Sequence, residues 1–114
     1  MQYSVQRVDK AVVFMLEGKL LNEQQTAAVR DRIMEELAEE EKRFILDLKG
    51  IDFVNSACLN FLVSVNNKIT EQGGKMILCN VSEQLKKLLF VTRLESFFKI
   101  AGRTGEALGM LNAS

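Results

Sequence analysis

The amino-acid sequence predicts an α/β domain with a mixed, mostly parallel sheet of four to five strands flanked by about four helices. Short apolar runs of strand length alternate with segments whose apolar residues recur every three or four positions. Two strand-like runs come first and follow each other directly, which indicates a hairpin. The resulting order, β-β-α-β-α-β-α-β-α, is typical of a parallel sheet with right-handed crossovers.

Five segments have the pattern of strands. The first is a weak alternation over residues 3–7, and a turn around Asp9 joins it to the apolar run 11–16. The length and β-branched content of that second run suit a strand buried on both faces. Gly18 is expected to end it. The later strands are predicted at 44–48 (FILDL), 76–79 (MILC) and 97–100 (FFKI).

The first predicted helix covers residues 22–40, with Asn22 as its N-cap. Three apolar residues four positions apart are expected to face the sheet, with Met34 beside them: Val29, Ile33 and Leu37. The acidic stretch 35–42 (EELAEEEK) is expected to form the solvated face and the end of this helix.

Three further helices are predicted downstream. The second covers residues 56–71 and stops at Gly73-Gly74. Ser82 is expected to be the N-cap of the third helix, and Thr104 opens the fourth. The second helix carries a long apolar stripe formed by Cys58, Leu62, Val65 and Ile69.

Length and charge favour one domain without a general affinity for polyanions. The 114 residues fit a single domain over 1–114, expected to be a monomer or a weak dimer. Fifteen Lys and Arg balance fifteen Asp and Glu, so the formal net charge is zero. Bulk attraction to nucleic acid is therefore not expected.

Other features of the composition exclude several kinds of catalytic and metal sites. The chain has no histidine, which removes Ser-His and Cys-His nucleophile systems and most zinc or iron sites. Cys58 and Cys79 lack metal-ligand spacing and are expected to be buried in a reducing compartment. The sequence shows neither a signal peptide nor a membrane-spanning run, so a cytoplasmic protein without membrane insertion is predicted.

Residues 53–59 (FVNSACL) are the most informative segment for function. They follow a predicted buried strand and enter an apolar helix. On local pattern alone, Asn55 or Ser56 is an N-cap that contributes about 1 kcal/mol. A phosphate on Ser56 would also be tolerated there, because a helix N-terminus favours negative charge. No Gly-x-Gly-x-x-Gly or Walker-type phosphate loop is present.

Two longer stretches carry a family resemblance. They are DLKGIDFVNSACLNFLVSVNNKI (47–69) and GGKMILCNVSEQLKKLLFVTRLESFFKI (73–100). The first is similar to the STAS-domain signature, in which an Asp-Leu strand end, an aromatic residue, an apolar residue and Asp-Ser-Ser/Thr-Gly-Leu-Gly precede an apolar helix. The second continues that resemblance, and with the opening strands and Gly18 it extends over essentially the whole chain. The chain thus resembles STAS domains of the anti-sigma-factor-antagonist type.

This resemblance implies a partner-switching regulator of transcription rather than an enzyme. In such proteins the serine after the signature Asp is phosphorylated by an anti-sigma factor that is also a serine kinase, and a PP2C-type phosphatase resets it. Ser56 matches that serine. The unphosphorylated form would bind the kinase and release the sigma factor. ATP and Mg²⁺ would belong to the kinase, so no cofactor is expected on this chain.

The same resemblance implies a partner-binding surface around Ser56, and the chain departs from the family pattern there. Asn55 stands where the signature has Asp, and Ala57 replaces the second hydroxyl residue. Cys58 and Asn60 replace two glycines and are expected to stiffen the loop and add bulk to the contact surface. Leu21 and Asn22, in the turn after Gly18, complete the expected surface.

Two alternatives remain open from the sequence. The chain is either the switching antagonist or a non-switching STAS scaffold subunit of an ABC lipid transporter or of a larger signalling complex. The altered loop favours the scaffold somewhat. A small enzyme is disfavoured by the missing histidine and phosphate loop.

Overall fold

The fold comes from a computed structural model that describes residues 2–19, 23–53 and 55–112. Within these ranges the strands and helices follow the predicted order. Their bounds are β1 (Gln2–Val8), β2 (Ala11–Lys19), α1 (Glu23–Ala38), β3 (Arg43–Phe53), α2 (Ser56–Glu71), β4 (Lys75–Cys79), α3 (Glu83–Val91), β5 (Lys99–Ala101) and α4 (Thr104–Asn112).

The strands form one sheet in chain order, β1-β2-β3-β4-β5. β1 and β2 are antiparallel, and the turn between them places Asp9 and Lys10 at positive φ, 48° and 69°, as a two-residue type I′ turn requires. The remaining three pairs are parallel. The predicted mixed, mostly parallel sheet flanked by four helices is therefore confirmed.

Most of the core lies on one face of the sheet, beneath α1, α2 and α3. Right-handed crossovers between strands in chain order place the connecting helices on the same side. Phe14, Phe44 and Leu46 point from the sheet into this core, where the apolar stripes of the three helices cover them. The predicted stripe of α2 is confirmed, because Cys58, Leu62, Val65 and Ile69 are all buried.

A smaller core lies on the opposite face, beneath α4. Val13 and Ile77 face it from the sheet, and Ala107 and Leu111 pack on them from α4. Alternate residues of β2 thus enter different cores, with Val13 on one side and Phe14 on the other. The prediction that this strand is buried on both faces is confirmed.

The ends of several strands differ from the prediction. β2 continues through Gly18, which has a φ of 95°, to Lys19. β3 continues to Phe53, five residues beyond the predicted end at residue 48. The two strands extend each other because they pair along this stretch, with Lys19 opposite Phe53 and two register shifts before it. Local sequence preference does not report such pairing.

Gly50 lies where β3 passes closest to β2. A Cβ atom at this position would lie 2.7 Å from the backbone carbonyl oxygen of Leu16 and 2.7 Å from Cγ of Glu17. The flexible Glu17 side chain can move away, but the backbone of the buried strand cannot. The close approach of the two strands therefore requires a glycine at this point.

α1 differs from its predicted pattern at one exposed position. Val29, Ile33 and Leu37 are buried against the sheet, as the periodicity predicts. Met34, predicted to lie beside them on the apolar side, is 37% exposed. That part of the prediction is wrong, because Met34 lies one position, about 100° around the helix, from Ile33.

Glu36 is the second departure in α1. It belongs to the acidic stretch predicted to be solvated, yet it is only 3% exposed. Its carboxylate pairs with the Arg7 guanidinium from β1 and accepts a hydrogen bond from Nε of Arg32 at 3.1 Å. Glu39 and Glu41 also lie near Arg7, at 3.6 and 3.7 Å. The cluster joins the outermost strand to α1, and a buried carboxylate is retained because it is paired.

We expect Gly50→Ala to lower the free energy of unfolding by about 1–3 kcal/mol, the usual cost of forcing extra volume into a packed site. Urea unfolding followed by circular dichroism measures it. Gly109→Ala is the matched control, because a Cβ there would meet no atom within 4 Å. In helix α4 the control should leave the stability unchanged or raise it by up to about 1 kcal/mol. Equal stability of the two variants would contradict the close-approach explanation.

We expect Glu36→Ala to lower the free energy of unfolding by about 1–3 kcal/mol, because two guanidinium groups lose their shared carboxylate. The loss stays below that of a fully buried pair, since the Arg7 side chain is half exposed and can turn to water. The control is Glu35→Ala on the exposed side of the same turn, with an expected change within about 0.5 kcal/mol. Chemical denaturation of both variants decides the matter; a smaller loss for Glu36→Ala than for Glu35→Ala is the contrary result.

Candidate functional site

The carboxyl ends of the parallel strands meet at one edge of the sheet, and the segments leading into α2, α3 and α4 lie there. Sites in open α/β sheets form at this edge. The chain from β3 reaches it at Phe53 and enters α2 at Ser56. The serine singled out by the sequence therefore lies where this fold class places its functional groups.

Asn55 is the N-cap of α2. Its backbone is extended, with φ of −152° and ψ of −171°. Its side-chain oxygen accepts a hydrogen bond from the backbone N–H of Cys58 at 3.1 Å, and its carbonyl accepts one from Leu59 at 3.1 Å. The sequence left Asn55 and Ser56 as alternative caps, and the geometry decides for Asn55.

Ser56 is the first residue of α2, and its side chain is exposed. Across the described ranges, its hydroxyl has no hydrogen-bond partner. Because Asn55 already caps the helix, Ser56 is not needed for that purpose. The backbone N–H groups of Ser56 and Ala57 belong to the first turn, which has no partners within the helix. The hydroxyl is therefore accessible to another protein, beside groups that favour an anion.

The exposed side of α2 is uncharged over most of its length. No charged residue occurs from Ser56 to Asn67, and the first one along the helix is Lys68. Ser56, Asn60 and Asn67 are exposed, with Leu59 and Val63 partly buried beside them. This neutral helix face, defined by Ser56, Asn60, Val63 and Asn67, starts at the candidate serine.

Cys58 does not contribute to the surface of the site. Its side chain is 0% exposed and packs into the larger core. Burial raises the pKa of the thiol to about 11. The prediction that Cys58 adds bulk to the contact surface is therefore wrong, because the first turn of α2 points this side chain inward. Cys79 is also a buried free thiol, but it packs into the smaller core.

The remaining predicted site residues divide into two groups. Ala57 is partly buried and Asn60 is exposed, so both reach the surface next to Ser56. Leu21 and Asn22 lie outside the described residues. The chain enters that segment from Lys19, which pairs with Phe53 in the sheet. β2 therefore ends next to the strand residue that leads to Asn55.

Asp47 forms a polar junction at the same edge of the sheet. The sequence indicated this residue only as an acid within an apolar strand. Its Oδ1 accepts hydrogen bonds from the Lys49 backbone N–H and from Nδ2 of Asn80, both at 3.0 Å. The Thr104 hydroxyl donates to Oδ2 at 3.5 Å. Asp47 thereby links β3 to the turn before α3 and to the first residue of α4. A lone acid in a buried strand is the signal that predicts such a junction.

The same edge holds a shallow cavity of about 340 Å³ whose charged side chains are Glu17, Asp47 and Lys49. Nowhere in the described part of the chain do three His, Cys, Asp or Glu residues lie close enough to hold a metal ion. In the same ranges, no helix has both the length and the apolar character needed to cross a bilayer.

The chain matches the family model of the STAS domain over residues 2–107, and it therefore belongs to the STAS-domain family. It is 21% identical over 101 residues to BtrV of Bordetella bronchiseptica, a protein provisionally named an anti-sigma factor antagonist. That alignment covers 89% of this chain and 86% of BtrV.

Solved structures of similar proteins have the same fold. TM1081 of Thermotoga maritima, also provisionally named an anti-sigma factor antagonist, has a TM-score of 0.86 at 22% identity, covering 96% of this chain and 94% of TM1081. The anti-sigma factor antagonist SpoIIAA in its unphosphorylated form has a TM-score of 0.78 at 18% identity, covering 99% and 100%. Phosphorylated SpoIIAA of Bacillus has a TM-score of 0.76 at 19% identity, covering 96% and 99%. At these identities the likeness shows the fold.

We expect Asn55→Ala to lower the free energy of unfolding by about 1 kcal/mol, because the Cys58 N–H loses its acceptor. Asn55→Asp keeps an acceptor oxygen at the helix N-terminus and should stay within about 0.5 kcal/mol of wild type. Asn60→Ala, an exposed asparagine one turn later, controls for loss of the amide itself. Thermal and urea unfolding of the three variants test the assignment, and it fails if Asn60→Ala is as costly as Asn55→Ala.

Proposed function

We propose that this chain is an anti-sigma factor antagonist that acts by partner switching, with Ser56 as the phosphorylated residue. The unphosphorylated chain binds an anti-sigma factor that is also a serine kinase, and the sigma factor is released. Phosphorylation of Ser56 ends that binding, and a PP2C-type phosphatase restores it. The contact surface comprises Asn55, Ser56, Ala57 and Asn60, with Leu21 and Asn22 from the neighbouring turn.

The observation that carries this proposal is the exposed Ser56 hydroxyl at the start of an uncharged helix face. A kinase can reach this hydroxyl without unfolding the helix, because Asn55 provides the cap. The product phosphate would lie at the helix N-terminus, where the macrodipole and free N–H groups favour negative charge. Phosphorylation would therefore change the surface and leave the fold intact.

The size of the electrostatic change supports a switch. A phosphoserine carries close to two negative charges near neutral pH. Along α2 the nearest charged residue is Lys68, about 18 Å away at the rise of an α-helix. That separation exceeds the screening length of about 8 Å at physiological salt. A phosphate on Ser56 would thus not be neutralised along its own helix, and a partner packed on the neutral helix face would meet a dianion that α2 does not pair.

The likeness to SpoIIAA adds a second line of support. SpoIIAA is an anti-sigma factor antagonist with structures in an unphosphorylated and a phosphorylated form, and both resemble this chain over nearly its full length. One fold therefore accommodates both states in that protein. Catalysis would belong to the kinase, with its ATP and Mg²⁺, so this chain acts as substrate and binding partner.

The test is to purify the protein from its own host and measure its intact mass, for wild type and for Ser56→Ala. Wild type should carry a phosphoryl group that Ser56→Ala lacks. Partners retained by wild type, Ser56→Ala and Ser56→Asp are then identified by mass spectrometry. An ATP-dependent kinase should bind Ser56→Ala and dephosphorylated wild type, and bind Ser56→Asp about tenfold or more weakly, since like or unpaired charge at an interface is costly.

Gln72→Glu is the matched control, because it adds a negative charge at the exposed far end of α2, away from Ser56 and outside the neutral helix face. Its binding to the kinase should stay within about threefold of wild type, as expected for a screened surface charge. An unmodified Ser56, together with a Ser56→Asp variant that retains every partner, rules out the switch. Transporter subunits or signalling proteins held equally by all variants would instead identify the non-switching scaffold.

A further inference from the structure

Three large apolar side chains are exposed near the far end of α3. Phe90 is 66% exposed, Val91 71% and Phe97 41%. Single exposed apolar residues are common, but three within eight consecutive residues make this segment a candidate interaction surface. We call Phe90, Val91 and Phe97 the aromatic patch.

The backbone holds the aromatic patch in a compact shape. The N–H of Leu94 donates to the carbonyl of Leu89 at 2.8 Å, and the N–H of Phe97 donates to the carbonyl of Leu94 at 3.0 Å. The Phe97 ring makes an edge contact with the buried Phe98 ring, with centroids 5.0 Å apart. The patch is thus anchored to the core, and binding to it would cost little ordering of the free protein.

A cavity of about 260 Å³ lies beside Phe97. We call it the lysine socket, because Lys75 and Lys99 line it together with the polar side chains of Asn66 and Thr70. Two ammonium groups, an amide and a hydroxyl are suitable partners for a carboxylate. An apolar surface therefore adjoins a socket with the chemistry of an acidic side chain.

The charges around the aromatic patch also favour an acidic partner. Within residues 87–99 the charged side chains are Lys87, Arg93, Lys99 and the single acid Glu95. The preceding Lys86 already pairs with Glu83 at 3.5 Å. The rim is therefore net positive, although the chain as a whole is neutral. Such a rim attracts an acidic partner and disfavours a basic one.

We propose that the aromatic patch and the lysine socket bind a segment of another protein that presents an apolar side chain next to an Asp or Glu. The apolar side chain covers Phe90 and Val91, and the carboxylate enters the socket between Lys75 and Lys99. The socket favours a peptide over a lipid surface, because two lysines and two polar residues surround one cavity of about 260 Å³, which suits a single acidic side chain. Lys75 begins β4, at the opposite edge of the sheet from Ser56, so this proposal does not depend on the phosphorylation of Ser56.

In the test, a phage-displayed library of short random peptides is selected for binding to the folded protein. The selected sequences should combine Phe, Leu or Ile with a nearby Asp or Glu. A labelled synthetic peptide of the selected sequence is then titrated by fluorescence anisotropy. The double variant Phe90→Ser/Val91→Ser and the variant Lys99→Glu should each weaken binding by about tenfold or more, as loss of a central contact does. A peptide with Lys in place of its acid should recover affinity for Lys99→Glu.

Met110→Ser and Lys49→Glu are the matched controls, because they remove an exposed apolar residue and an exposed lysine elsewhere. Both should bind the peptide as wild type does. Ser56→Asp should also bind the peptide normally. Failure of the peptide-binding proposal would therefore leave the switch proposal intact, and failure of the switch proposal would leave the peptide-binding proposal intact. Unfolding midpoints of all variants establish that they are folded.

Four results would overturn the proposal. The library yields no binder, or the binder is indifferent to the patch variants. Vesicles containing phosphatidylserine bind wild type but not the patch variants, which identifies a membrane surface. Sedimentation velocity shows self-association that the patch variants abolish, which identifies a second copy of the chain.

Discussion

The pairing of β2 with β3 determines where most other parts of the molecule lie. β2 is buried on both faces, so its side chains contribute to both the larger and the smaller core. β3 approaches it closely enough to exclude a Cβ at Gly50, and the two strands then run side by side to Lys19 and Phe53. The length of that pairing sets the point at which α2 begins. The accessibility of Ser56 is thus a consequence of backbone pairing rather than of the loop sequence alone.

Periodicity predicts much of the fold because each buried stripe has a local signature. The spacing of apolar residues was enough to predict the buried stripes of α1 and α2. The helix start alone was enough to predict the Ser82 cap, whose hydroxyl accepts a hydrogen bond from the Leu85 N–H at 3.2 Å. The extension of β3 beyond Leu48 could not be predicted from local sequence, since it depends on pairing with β2. Glu36 was missed for the same reason, because its burial depends on Arg7, 29 positions away in the chain.

The sequence predicted that Ser56 lies at a helix start after a buried strand, but it predicted the geometry there only in part. A helix start after a buried strand located Ser56, and short polar side chains there indicated a cap. Assigning the cap to Asn55 required the direction of its side chain. The inward position of Cys58 followed from the apolar stripe of α2, and it contradicts only the bulk expected from Cys58 at the contact surface. Asp47 carried a weak signal as an acid in a buried strand, but its partners, Asn80 and Thr104, come from distant turns. Polar networks of this kind are tertiary features.

Burial of the Cys58 thiol protects the first turn of α2 from oxidation, two residues after Ser56. With a pKa near 11, about one thiol in ten thousand is ionised at neutral pH, and the thiolate is the form that oxidants attack. The apolar core also excludes the oxidant itself. Oxidants would therefore leave the Cys58 side chain unchanged, and with it the packing of the first turn of α2 beside Ser56.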